Sequence, residues 1–300
     1  MNPSALRPGR RAYRAFVILL PMAWLLVFFL APFGLVFKIS FSDPLIAQPP
    51  FTALFGRGAD GALTLGATLD NYRALFQDEL YLLSYVGSLR IAFFSTLACL
   101  LIGYPMAYAI AQARGAWRNI LLLLVILPFW TSFLLRVYAW MGMLGTHGAI
   151  NSLLLSLGLI ERPLALMYTD FAVYIGIVYT YLPFMILPLY AVLEKLDIEL
   201  REAAEDLGGR PLAVFRDVTL PLSLPGIMAG SLLVFIPALG EFVIPSLLGG
   251  LDTLMIGRTL YDEFFINRDW PLAAAVATML LLIVVVPFML FQRSQLREPS

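Results

Sequence analysis

The sequence predicts an all-α membrane protein of six transmembrane helices, with both termini on the cytoplasmic side. Three observations carry this. First, 60% of the 300 residues are apolar and 13% are charged, against about 25% charged in an ordinary soluble chain, and mean hydropathy is +0.84. Second, Ala15–Phe37, Ile91–Ala113, Phe171–Leu193, Val218–Gly240 and Trp270–Gln292 each run 23 residues without a charge, enough to cross a ~30 Å hydrocarbon core as helix. Third, Lys and Arg are distributed unevenly between the connecting segments. Such a chain has too little polar surface for a soluble enzyme and too much apolar sequence for disorder. Basic and acidic residues balance at 20 each, so no positive field points to nucleic acid. A lone Cys99 gives no disulfide framework, and with a lone His147 it gives no zinc ligand set.

Taken in order, residues 1–14 form a basic cytoplasmic tail and 15–292 a six-helix membrane domain. The first span, about 15–38, is longer than a signal-peptide core and lacks a small-residue cleavage site, so it is expected to stay as a helix. The segment around Gln48-Pro49-Pro50 and Gly56–Gly61 reads as a turn-rich loop, and Leu69–Phe76 as a short helix. The second span covers about 82–113. The third runs continuously over about 119–143, through Arg136. The fourth covers about 171–193, the fifth 223–248 and the sixth 270–292, before a cytoplasmic tail at 293–300. With the N-terminus inside, the inner segments hold 12 basic residues in 57 positions and the outer segments 6 in 91. That threefold bias sets the orientation. Prolines within the spans (Pro21, Pro32, Pro105, Pro128, Pro183, Pro188, Pro237, Pro245, Pro287) suit a kinked bundle that encloses a path.

The loop at 194–222 is the most informative stretch. Leu196, Leu200, Ala203 and Leu207 recur at helical spacing among charged residues. Gly208 and Gly209 end that helix, and Pro211 is placed to start a second one leading to Leu220-Pro221. Glu202-Ala203-Ala204, followed at fixed spacing by Gly208, Val218 and Leu220-Pro221, resembles the EAA motif. That motif marks the membrane subunits of ATP-binding-cassette importers that receive solute from a binding protein. The family's usual isoleucine is Val218 here.

The resemblance implies a type I ABC importer permease fold in a bacterial inner membrane. It also implies that this loop docks into a cytoplasmic ABC ATPase dimer, with a second, related permease and a periplasmic substrate-binding protein completing the complex. The chain has no phosphate-cradling G-x-x-x-x-G-K-[ST] loop. ATP is therefore expected on the partner subunit, and this chain is expected to be a transport subunit without cofactor or catalysis of its own. Pro237–Gly250, Asp252–Arg258 and Asn267–Pro271 are similar to polyamine-type permeases, putrescine systems in particular, while relatives carry spermidine, iron or other small solutes.

Charges inside spans need a partner or water. Counted along straight helices, Arg136 lies about 26 Å from the inner end of span three and Glu241 about 27 Å from that of span five, with Arg90 about 12 Å below the outer surface. Glu241 is expected either to pair with Arg136 or Arg90, or to line a wet vestibule for a cationic substrate. Trp130, Tyr138, Trp140, Tyr179 and Tyr181 are positioned to add cation–π contacts or to serve as packing. Glu241, Arg136, Tyr138 and Trp140 are the candidate path residues, and His147 is read as a loop residue. An ion-coupled carrier is the alternative class, but the sequence shows no clear midplane acids or paired broken helices. An intramembrane hydrolase would need a nucleophile–base set that is missing here.

Overall fold

The computed structural model describes residues 8–57 and 63–295. Its contacts define two compact units, one of residues before Glu79 together with those from Leu260 onward, the other Glu79–Thr259.

In the first unit, α1 (Pro8–Leu25) passes through a π-helical turn into α2 (Ala31–Ile39). Phe16–Ile39 is long and apolar enough to span a membrane, and no residue of its 18-residue apolar window is buried among the described residues. A helix apolar on all sides and so little covered must face lipid or another subunit over most of its surface. Two short strands, β1 (Phe55–Arg57) and β2 (Leu63–Leu65), pair antiparallel where the sequence reads as a loop. The short helix α3 (Asp70–Gln77) forms as expected. Asn71 Nδ2 ties it back by donating to the Ser40 and Ser42 carbonyls at 3.0 and 2.8 Å.

The second unit is built on α4 (Glu79–Gln112), α5 (Ala116–Ile126), α6 (Phe133–Leu144), α7 (Ala149–Ser156) and α8 (Asp170–Leu193). There follow α9 (Ile198–Asp206), α10 (Pro211–Val214), α11 (Leu220–Leu239), α12 (Val243–Leu248) and α13 (Ile256–Tyr261), whose last two residues are assigned to the first unit. The final helix, α14 (Trp270–Gln295), belongs to the first unit and packs on α2 and α3. The core is the triple contact of α4, α8 and α11, where Cys99, Ala107, Met185, Ile186, Leu189 and Val234 are buried. Gly226 and Gly230, four residues apart, let α11 approach α8: a Cβ at Gly230 would lie 2.8 Å from Met185 Sδ. Small residues at i, i+4 are the usual device for close helix contact in membranes.

Two expected spans are not continuous. Helix stops at Trp130 and restarts at Phe133, and the segments Ala116–Trp130 and Phe133–Ser156 bend by 92°. Pro128 lies in a 3₁₀ turn at this break and Thr131 takes an extended conformation, so the chain cannot run straight from 119 to 143. The fifth span is also cut, since α11 ends at Leu239 and α12 begins at Val243. The depth counted along a straight helix to Arg136 therefore fails, whereas Glu241 lies two residues past the end of the helix along which its own depth is counted. Four helices among the described residues are long and apolar enough to cross, five if the bent pair counts as one span.

Candidate functional site

The candidate residues fall in two places: the 194–222 loop and the pocket beside the helix break at Glu241.

In the loop, Asp197 caps α9 by accepting from the Glu199 amide at 3.0 Å. The helix ends in a glycine turn. Gly208 has φ +85°, and the Gly208 and Gly209 amides donate to the Glu205 and Ala204 carbonyls at 2.8 and 3.0 Å. A Cβ at Gly209 would come within 2.6 Å of the Ala204 carbonyl oxygen, so both glycines are needed for different reasons. Pro211 opens α10, as its fixed φ and missing N–H favour. A π-helical turn, Phe215–Thr219, then joins α10 to α11.

Within this motif Glu202 and Ala203 are exposed, as is Pro221, whereas Ala204, Val218 and Leu220 are half-buried. Leu196, at the start of the expected apolar stripe, packs against the bundle core, but the rest of the stripe is not packed down. Leu200 is 50% exposed, Leu207 90% and Leu212 79%, so the loop presents apolar side chains on both arms of its turn.

The loop is fastened to the bundle by residues that its own pattern does not reveal. The Phe215 ring stands edge-on to Tyr104 and Tyr108 at 5.5 and 6.1 Å. Tyr104 Oη and Ser223 Oγ are 2.9 Å apart, and Ser223 Oγ donates to the Leu220 carbonyl. Tyr104 and Tyr108 are four apart on α4 and so share one face. Their spacing is visible in the sequence; their partner, more than a hundred residues away, is not.

The second site is a 460 Å³ pocket whose lining includes Arg136, Glu241, Tyr181, Phe129, Phe133 and Phe184. It does bring Arg136 and Glu241 together, but not as an ion pair. Glu241 is 8% exposed. Its Oε2 accepts from the Tyr181 hydroxyl at 2.5 Å, and its Oε1 accepts from the Val243 and Ile244 amides at 3.0 and 3.3 Å. The carboxylate thus holds the start of α12 to α8. Arg90 pairs instead with Asp170, at 2.5 Å, and Thr253 donates to the other oxygen of that carboxylate.

Arg136 Nε and Nη1 are buried with no hydrogen-bond partner among the described residues. The guanidinium carbon lies 5.6 and 5.9 Å from the Phe129 and Phe133 ring centroids. Ring faces stabilise a desolvated cation there by about 2 kcal/mol. Neither of the other candidates lines this pocket. Tyr138 is 55% exposed and, two residues on from Arg136, lies about 200° round the helix. Trp140 packs edge-on to Tyr179, with centroids 5.5 Å apart.

The sequence matches the family described as "Binding-protein-dependent transport system inner membrane component" over residues 6–294. It is 38% identical over 282 residues to the spermidine/putrescine transport system permease protein PotB of Haemophilus influenzae, covering 94% of both chains. It is 44% identical over 227 residues to PotB of Escherichia coli K12, covering 76% of this chain and 82% of that one. A further relative, the E. coli inner membrane ABC transporter permease protein YdcU, is 35% identical over 77% of this chain and 76% of its own. Among solved structures, a bacterial ABC transporter involved in import of the acidic polysaccharide alginate shares the fold. Its TM-score is 0.69 at 18% identity, over 97% of this chain and 98% of that one. The chain is therefore a member of the binding-protein-dependent inner-membrane transport components, the permeases of ABC importers.

Proposed function

We propose that this chain is one of two permease subunits of a polyamine importer, putrescine being the solute its 237–271 region favours. Solute is delivered by a periplasmic binding protein, and transport is driven by a cytoplasmic ATPase dimer. The carrying observation is 38% identity to a spermidine/putrescine permease over 94% of both chains. In this reading the chain crosses the membrane six times with both termini cytoplasmic. The bent pair Ala116–Trp130 and Phe133–Ser156 supplies one crossing and Trp270–Gln295 the last.

The mechanism follows from the two sites. The exposed Leu207 and Leu212 flank the Gly208 turn and seat in a cleft of the ATPase, burying about 1.5–3 kcal/mol each. Movement of α9 is carried through Phe215 to Tyr104 and Tyr108 on α4, and through Ser223 to α11. Because α11 ends at Leu239, immediately before Gly240 and Glu241, displacement of that helix acts directly on the pocket. A polyamine loses hydration on entry, and the aromatic rings and the Glu241 carboxylate there offset part of that cost.

The test is reconstitution with the partner permease, ATPase and binding protein in lipid nanodiscs. ATP hydrolysis should rise severalfold with putrescine-loaded binding protein and less with spermidine-loaded. Equal stimulation by the unloaded protein and by both amines would remove the substrate assignment.

A further inference from the structure

A cavity of about 370 Å³ lies where the end of α4, the start of α5 and the end of α8 meet α9. Its charged lining is Arg114, Arg118 and Arg201 against Glu194 alone, a net +2. Arg118 is committed: it donates to the Ala111 and Ala113 carbonyls, and pairs with Glu194 at 2.7 Å. Arg114 and Arg201 have no carboxylate partner among the described residues, and Arg201 is steadied over the Tyr108 ring at 5.8 Å. Thr219, 2% exposed, also lines the cavity, and its Oγ1 is buried without a hydrogen-bond partner among the described residues. Two guanidinium groups without a carboxylate partner, lining one space, are the donors an oxyanion requires.

Position decides the kind of anion. The cavity sits at the ends of apolar helices, and Trp117, next in sequence to Arg118 of its lining, is 68% exposed, as an interfacial aromatic is. Basic pockets between membrane helices at this level take phosphate-bearing headgroups, and the volume lies within the ~300–1,000 Å³ of small-ligand sites.

We propose that this cavity binds a phosphate group, supplied by the headgroup of an anionic phospholipid. Such a ligand would bridge Arg201 on α9 to Arg114 after α4, tying the 194–222 loop to the bundle and making its motion sensitive to lipid composition. The binding itself does not depend on which solute is carried or on the loop's ATPase contact.

The experiment uses the assembled complex with a single cysteine, Gln112→Cys in a Cys99→Ser background, at the cavity wall. Labelling by a soluble maleimide is compared in phosphatidylcholine nanodiscs and in discs containing phosphatidylglycerol. Phosphatidylglycerol should slow labelling at least fivefold. Arg114→Gln with Arg201→Gln should abolish that protection, and Arg114→Lys with Arg201→Lys should restore most of it. If millimolar inorganic phosphate in phosphatidylcholine discs protects with the same arginine dependence and phosphatidylglycerol does not, the phosphate site stands with free phosphate as its source. Protection in neither arm, protection that survives loss of both arginines, or protection already complete in phosphatidylcholine once the ATPase is bound would each overturn the proposal.

Discussion

The Tyr181 hydroxyl donates to Glu241 Oε2 while the other carboxylate oxygen accepts the first two amides of α12. One side chain thereby joins α8 to the helix restarted beyond α11, so Glu241 is a strut before it is anything else. Glu241→Ala strands a buried hydroxyl and two amides, and should destabilise the subunit by about 1–3 kcal/mol, read as a lower melting temperature of the complex. Glu241→Gln keeps an acceptor for the amides and should assemble normally, while uptake of a diamine falls severalfold. Normal uptake by that variant would exclude the carboxylate from the path.

Arg136 and Glu241 share a pocket without sharing a bond. Neutralising both, Glu241→Gln with Arg136→Gln, should therefore assemble no better than Arg136→Gln alone, since Glu241→Gln by itself assembles normally. A double variant more stable than Glu241→Gln alone would restore the ion pair that the geometry lacks.

At Gly208 a β-branched residue is held in the left-handed region, at about 1–2 kcal/mol. Gly208→Val should insert and assemble its membrane domain yet lose transport, whereas Gly208→Asn should retain a measurable fraction, since Asn tolerates that conformation. Wild-type uptake with valine would refute the turn's role in coupling.

Phe215→Ala removes two edge-on aromatic contacts, each worth about 0.5–1.5 kcal/mol. ATPase binding should persist while stimulation by loaded binding protein drops severalfold. Tyr104→Phe, losing only the bond to Ser223, should show a smaller drop. Unchanged stimulation in both would show that force does not pass through α4.

Orientation is open to labelling. Single cysteines at Arg114 and Glu205 should react with an impermeant thiol reagent only from the cytoplasmic side, and those at Leu159 and Asp252 only from outside. Cys99 is fully buried and replaceable by Ser. Labelling of Glu205→Cys from outside would invert the topology.

What the sequence determined by itself was what acts over short distances. Apolar windows, Gly208 after α9 and Pro211 at the head of α10 each act within a turn or two of chain, so most of the helices and the glycine turn of the 194–222 loop were legible residue by residue. The breaks were not. Hydropathy counts composition along a window and is blind to direction, so Asn119–Met143 reads as one rod although Pro128 and Thr131 turn it by 92°. Partners were not legible either: Glu241 had three arginine or aqueous options on paper, and packing gave it a tyrosine on α8 and two amides of its own chain. Tertiary structure alone decided this, because a desolvated charge takes whatever donors the packed helices bring within about 3 Å, and that proximity is a property of the packing rather than of any spacing along the chain.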